Sequence, residues 1–312
     1  MADPTPGEDR GRIRFPGLTS EAFQHPLDRL ATENLKKVRG FDWLVRKYLE
    51  YGFERVEYVQ NIGGAIRIGP RQLPQIYAML QENCQILNVP EPELYLRTGP
   101  VTAITTGHDH PAIVLYSHLV DRMSDAELSG VIAHELGHIK CGHVLYKMMA
   151  RSIKPIFQIL GQATLGAGRL IGVGIEIALI SWDRRSELSA DRATLLALQE
   201  ARPSISMLMK LAGGSERLAD QLSVEQFLLQ ARAYREGLDE KLTSRLYRFL
   251  SEVGNSHPFL VERARDLDEW SRSDQYKALL GGQVPADTPG PPPAACPNCH
   301  APVAPGERFC DK

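Results

Sequence analysis

The stretch "AHELGHIKCGH", residues 133 to 143, constrains this chain more than any other, because it places His134 and His138 four residues apart with Glu135 between them. Imidazoles at i and i+4 face the same way only on a helix, where they present two nitrogens to one metal ion. Two ligands hold zinc poorly, so the fold must bring a third from elsewhere. The helix is expected on independent grounds. Ser124 followed by Glu127 is a capping-box signature, and a helix begun there carries the two histidines about three turns in.

Downstream, "WDRRSELSADRATLLALQ", residues 182 to 199, has the unbroken pattern of a second long helix. Glu187 and Asp191 lie four apart and share one face. If that face meets the first helix across a zinc ion, Glu187 is the third protein ligand and the fourth position stays open, as in a catalytic rather than a structural site. Asp191, one turn on, is then placed to accept a hydrogen bond from the free N–H of a ligating histidine. His143 follows His138 by five residues, roughly 140° round a continuing helix, which keeps it out of the ligand pair and suits packing or support behind the ligands. His108 and His110 read as solvated turn residues. Arg184 reads as a surface ion-pair partner.

The rest of the 312 residues sets the frame. A chain that is 43% hydrophobic and 24% charged can bury a sizeable core, and a formal net charge of −2 gives no pull toward nucleic acid. Residues 1 to 20 read as a loose tail without an apolar leader, which favours the cytoplasm. Residues 21 to 280 form the folded body, and 281 to 295, "GGQVPADTPGPPPAA", a Pro-rich linker. Within the body, Leu73, Ile76, Tyr77, Leu80, Cys84 and Leu87 recur at helical spacing. "VTAITTG" and "AIVLYS" are β-type runs joined by "HDHP", a hairpin whose strands at 101–107 and 112–117 could offer a free edge to an extended peptide. The apolar stretch 155–181 has only 14 charge-free residues before Arg169 and Glu176 interrupt it. It therefore reads as a buried or membrane-touching helical hairpin rather than a span, leaving peripheral membrane association open.

"HELGH" followed by "ELSAD" resembles the HtpX and CAAX prenyl endopeptidase family of zinc metallopeptidases, of gluzincin type. "IVLYSHLVDRMSDAELSGVIAHELGHI" is similar to that family's strand, loop and capped active-site helix, and "SHPFLVERARDL" to its later H-P motif with an arginine shortly after. The resemblance covers about residues 70 to 270. It implies an α+β, mainly helical fold: a zincin-like metallopeptidase core with a small antiparallel sheet and two long active-site helices. It also implies a zinc endopeptidase with His134, His138 and Glu187 on the metal and Glu135 as general base, acting on an unfolded or extended polypeptide in protein quality control. In this reading His257 faces the metal from the opposite wall to stabilise an oxyanion or to cap the resting zinc; a helix N-cap is its other reading. Two departures stand out. Thr102-Ala103 replaces the Asn-Ala pair of many members, and a single apolar segment stands where membrane members carry spans, which implies the soluble end of the family.

At the C-terminal end, "CPNCHAPVAPGERFC" spaces Cys296, Cys299 and Cys310 as an incomplete zinc ribbon, for which residue 313 or His300 would supply the fourth ligand. Such a module suits recruiting a partner protein and makes a second zinc an expectation. The rival to an enzyme is a non-catalytic, chaperone-like protein that keeps the zinc scaffold to hold clients. Glu135, which binds no metal, argues for the enzyme.

Overall fold

The computed structural model describes residues 11–152, 168–239 and 259–283. Packing begins earlier than composition suggests. Phe15 and Leu18 are fully buried in the main core with Phe23, and the Phe15 N–H donates to the Ile86 carbonyl at 3.0 Å. The loose-tail expectation for 1–20 is therefore corrected for its packed part: three apolar anchors spaced among polar, Pro- and Gly-containing neighbours leave no periodicity to read. Helix α1 (Pro26–Lys36) starts with Pro26 at its first position, and the capping His25 ring accepts from the Leu27 N–H at 3.1 Å.

Helices α2 (Phe41–Glu50) and α3 (Phe53–Gly64) follow. The second of these turns its polar side inward. Glu54 accepts from the Asp109 N–H at 3.1 Å, Glu57 from the Thr106 hydroxyl and Asn61 from Arg97, while Val56, Tyr58, Val59 and Ile62 are exposed.

Strand β1 (Ile66–Arg67), helix α4 (Pro74–Leu87) and strands β2 (Glu93–Arg97), β3 (Ala103–Thr106) and β4 (Ala112–Tyr116) come next, and the sheet order is β1-β2-β4-β3. The expected hairpin is present: β3 pairs antiparallel with β4, from Ala103 opposite Leu115 to Thr106 opposite Ala112. However, β2 runs parallel to β4, from Glu93 opposite Ala112 to Arg97 opposite Tyr116. The sheet is thus mixed, which corrects the antiparallel expectation. The chain leaves β2, runs out to the far edge as β3 and returns as β4 into the gap. Both faces of β4 are covered, with Ile113 and Leu115 in the main core and Ala112 and Val114 against Tyr95, and its sequence is accordingly a continuous apolar run. Among the described residues, the outer edge of β3 pairs with no strand.

The remaining helices are α5 (Ser117–Arg122), α6 (Asp125–Lys140), α7 (144–152), α8 (Gly168–Leu198), α9 (Ala201–Gly213), α10 (Val224–Asp239), α11 (Leu260–Ser271) and α12 (Asp274–Leu280). The capping box at Ser124 and Glu127 starts α6, whose residues from Glu127 to His138 are all buried. A helix buried all round needs close neighbours, and α6 finds them in α8, α4, α9 and β3. Its tightest crossing is at Gly137, where an added Cβ would lie 2.7 Å from the Ala193 Cβ and 3.0 Å from the Ala190 Cα. Helix α8 is a single element of 31 residues, so the second long helix begins well before residue 182. Part of the apolar stretch 155–181 lies outside the described residues, and none of the described helices is long and apolar enough to cross a membrane.

Candidate active site

The close α6–α8 crossing brings three buried side chains together. His134 and His138 project from α6, Glu187 from α8, and one donor atom of each lies within 4.8 Å of the others. His134 Nε2 is 3.3 Å from Glu187 Oε2 and His138 Nε2 is 3.3 Å from Glu187 Oε1. Two imidazole nitrogens and a carboxylate gathered this closely are the donor types that a catalytic zinc takes from a protein. The structure thus brings together the three residues that the sequence put forward as ligands.

Behind the donors sits a ring of charge. Arg263, on α11, forks onto Asp191 with Nε and Nη2 at 2.8 and 2.7 Å and reaches Glu187 Oε2 with Nη1 at 2.9 Å. From α7, Lys147 contacts Glu187 at 2.5 Å and Asp183 at 2.9 Å. Lys147 thus bridges Glu187 and Asp183, and Arg263 bridges Glu187 and Asp191. Burial works against ionising Glu187, but Lys147 and Arg263 hold its carboxyl well below the usual range. Burial also opposes charge on His134, yet Asp191 and Glu187 push its pKa up to about 9. Burial and the Lys147 charge hold His138 well below its ordinary value. The two buried imidazoles and the buried carboxylate are donors of the kinds that suit zinc.

Asp191 Oδ1 lies 3.1 Å from His134 Nδ1. Behind the other ligand candidate, His138 Nδ1 is 3.0 Å from His143 Nδ1, and His143 Nε2 is 3.0 Å from Asp28 Oδ2 on α1. His134 Nδ1 and His143 Nε2 approach these carboxylates closely without an aligned hydrogen bond. Helix α6 ends at Lys140 and Gly142 adopts a φ of +69°, so the chain folds His143 back against His138 instead of carrying it round the helix.

Glu135 borders the same cleft, about 520 Å³ in volume, with Val101–Ile104 of the β3 segment along one side and Phe259, Leu260 and Met207 along another. The Thr105 hydroxyl donates to Glu135 Oε2 at 2.5 Å, and Arg151 holds the Thr105 carbonyl at 2.9 Å. Thr102 and Ala103, the pair noted in the sequence, both line the cleft. His108 and His110 are exposed. His257, Cys296, Cys299 and Cys310 lie outside the described residues. Sequence reasoning did not single out Lys147, Thr105, Asp28 or the ion-pair role of Arg263. The available signal was the pair of carboxylates on one helix face, which demands buried cations.

A mainly helical fold with two imidazoles and a carboxylate around an open position is the architecture of a zincin-like metallopeptidase. The sequence model of peptidase family M48 matches residues 70–271. The chain is 37% identical over 275 residues to "Plastoglobule-localized metallopeptidase 48, chloroplastic" of Arabidopsis thaliana, covering 86% of this chain and 77% of that protein. It is 28% identical over 233 residues to a "Protease HtpX homolog" of Tropheryma whipplei, covering 67% of this chain and 76% of that protein. With a "Protease HtpX homolog 2" of Methanosarcina mazei it shares 26% identity over 178 residues, half of this chain and 60% of that protein. The chain belongs to peptidase family M48 and is a metallopeptidase, a hydrolase of polypeptides. No solved structure matches it.

Proposed function

We propose that the protein is a zinc endopeptidase that cuts extended or unfolded polypeptide in protein quality control, with His134, His138 and Glu187 holding the metal and Glu135 as general base. The observation that carries this reading is the position of Glu135, beside two buried imidazoles and open to the cleft, although it is not one of the three donors. Bound zinc would supply a Lewis acid and bring the pKa of a water to about 7. Thr105 fixes Glu135 Oε2, which leaves Oε1 to take the proton of the attacking water and pass it to the leaving amine nitrogen. Val101–Ile104 border the cleft and among the described residues pair with no further strand, while Arg151 takes the outer carbonyl at Thr105, so an extended peptide can add along 101–104 as a strand through backbone hydrogen bonds, a mode that tolerates many sequences. Arg263 and Lys147 keep Glu187 ionised and oriented.

His257 completes this reading as an oxyanion donor or a cap on the resting zinc, with a helix N-cap as its structural role. Cys296, Cys299 and Cys310 would hold a second zinc in a ribbon that recruits a partner protein. The reading places the enzyme in the cytoplasm with peripheral membrane contact through 155–181, whereas the Arabidopsis relative is by its name plastoglobule-localized and chloroplastic. The rival, a client-holding protein without catalysis, leaves Glu135 without a purpose.

The test is Glu135→Gln, which keeps size and every metal donor. It should retain zinc and melt like wild type while casein hydrolysis falls by about 10²–10⁴-fold. Equal hydrolysis by the variant overturns the role of Glu135, and a zinc-loaded wild type that suppresses client aggregation but cuts nothing points to the rival.

A further inference from the structure

We propose that Asp28, acting through His143, is a positioning residue for His138, so that helix α1 forms part of the metal centre. The inference rests on the metal assignment above and extends it to residues on which no ligand role falls.

Three side chains stand in line. His138 directs Nε2 toward Glu187, its Nδ1 meets His143 Nδ1 at 3.0 Å, and His143 Nε2 meets Asp28 Oδ2 at 3.0 Å. Asp28 is fully buried, and His138 and His143 are each only 1% exposed. A neutral imidazole that offers Nε2 to a metal carries its proton on Nδ1. His138 Nδ1–H can then donate only to an unprotonated His143 Nδ1, which places the His143 proton on Nε2, facing the Asp28 carboxylate. One arrangement of protons sets a donor against an acceptor at both approaches, and the charge of Asp28, 3.0 Å from His143 Nε2, favours it.

The surroundings hold the line in place. Asp28 accepts from the Ser189 hydroxyl at 2.5 Å and from Gln24 at 3.0 Å, and the Trp182 ring packs edge-on against His143 at a centroid distance of 5.4 Å. Burial opposes the charge on Asp28, yet His143 and Ser189 keep its carboxyl below the ordinary range. The two histidines of the metal centre are therefore each backed by a carboxylate, His134 directly by Asp191 and His138 through an interposed imidazole by Asp28. Outer partners of this kind are worth about 10–100-fold in metal affinity.

The experiment is zinc competition against a chromogenic chelator on the full chain. Asp28→Asn and His143→Gln should each weaken zinc binding about 10–100-fold. The double variant should be no weaker than His143→Gln alone, because Asp28 acts only through that ring. A merely structural Asp28 would instead lower thermal stability, leave the zinc affinity of the folded protein unchanged and add independently to His143→Gln, and that outcome overturns the proposal. Glu187→Ala, run alongside, separates the two levels: unchanged zinc binding there sinks the metal assignment itself, whereas loss there with none in Asp28→Asn sinks only the relay. A second measurement needs no variant to fold. Nitrogen-15 NMR of histidine-labelled, zinc-loaded wild type should show His143 protonated at Nε2 and bare at Nδ1, and the reverse tautomer overturns the proposal.

Discussion

Arg263 is 3% exposed and contacts two buried carboxylates at once, so removing it leaves buried negative charge without its partner. Breaking a buried ion pair from one side costs about 3–5 kcal/mol. Arg263→Leu should therefore lose about that much stability in urea unfolding of the metal-free protein, and a loss below about 1 kcal/mol would show that Lys147 alone satisfies Glu187. The residue scale also shows what a sequence discloses. His134, Glu135 and His138 were legible because one helix fixes their geometry, and Glu187 with Asp191 because a second helix puts both on one face. Their cations were not. Lys147 lies 40 positions from Glu187 and Arg263 lies 72 from Asp191, and only tertiary packing closes such separations. His143 was not placed by the sequence: the expectation assumed a continuing helix, but the helix ends at Lys140 and the Gly142 turn brings the ring back onto His138.

At the scale of elements, the α6–α8 crossing sets the distance between the histidines and Glu187. Gly137→Ala would gain about 1 kcal/mol of helix propensity in isolation. Here the new methyl meets the Ala193 Cβ and the Ala190 backbone, so the helices must part and the net change should be a loss of about 1–3 kcal/mol with weaker zinc binding. A higher melting temperature would show that the crossing yields freely. The α6–α9 joint makes a pH-dependent contribution. Burial opposes the Glu127 charge, but Lys210 Nζ at 2.6 Å, Ser206 at 2.6 Å and the Ser124 N–H at 2.8 Å hold its carboxyl below the ordinary carboxylate range. A depressed carboxylate stabilises the fold fully above its unfolded value and loses that contribution as pH falls through the folded one. The urea-midpoint gap between wild type and Glu127→Gln should therefore be flat near neutrality and shrink below about pH 4.5, and a gap constant to pH 3 would remove Glu127 from this role. The capping box and the hairpin were legible because their signals are local. The parallel β2–β4 pairing was not, since nothing in either strand records that β4 inserts between β2 and β3. Nor was the orientation of α3, whose Glu54 and Glu57 face inward to the 106–109 turn and Arg151 and whose Asn61 accepts from Arg97.

For the whole molecule, the family match begins at residue 70, yet the body does not. The segment from Ile13 to Asp28 ties distant elements together: the Ile13 backbone exchanges hydrogen bonds with Gln199, the His25 N–H donates to Ser189, His25 Nε2 contacts Asp266 at 3.1 Å, and Gln275 donates to the Ala22 carbonyl. Phe15, Leu18 and Phe23 fill the same core as Leu136, Leu195 and Trp270. The N-terminal segment therefore closes the hydrophobic core over α8, which carries Glu187. Emptying one such position costs about 3–5 kcal/mol, a large share of the 5–15 kcal/mol that holds a typical domain together. Phe15→Ala should accordingly lower the melting temperature by several degrees while leaving the active-site residues in place. A chain starting at residue 40, which lacks all three aromatic and aliphatic anchors together with Asp28, should lose its cooperative thermal transition and its zinc. Circular dichroism melting and metal analysis of the two proteins check this together. A truncated chain with wild-type melting and full zinc would mean that the family-matched region folds alone and that the N-terminal segment only covers a surface it does not support.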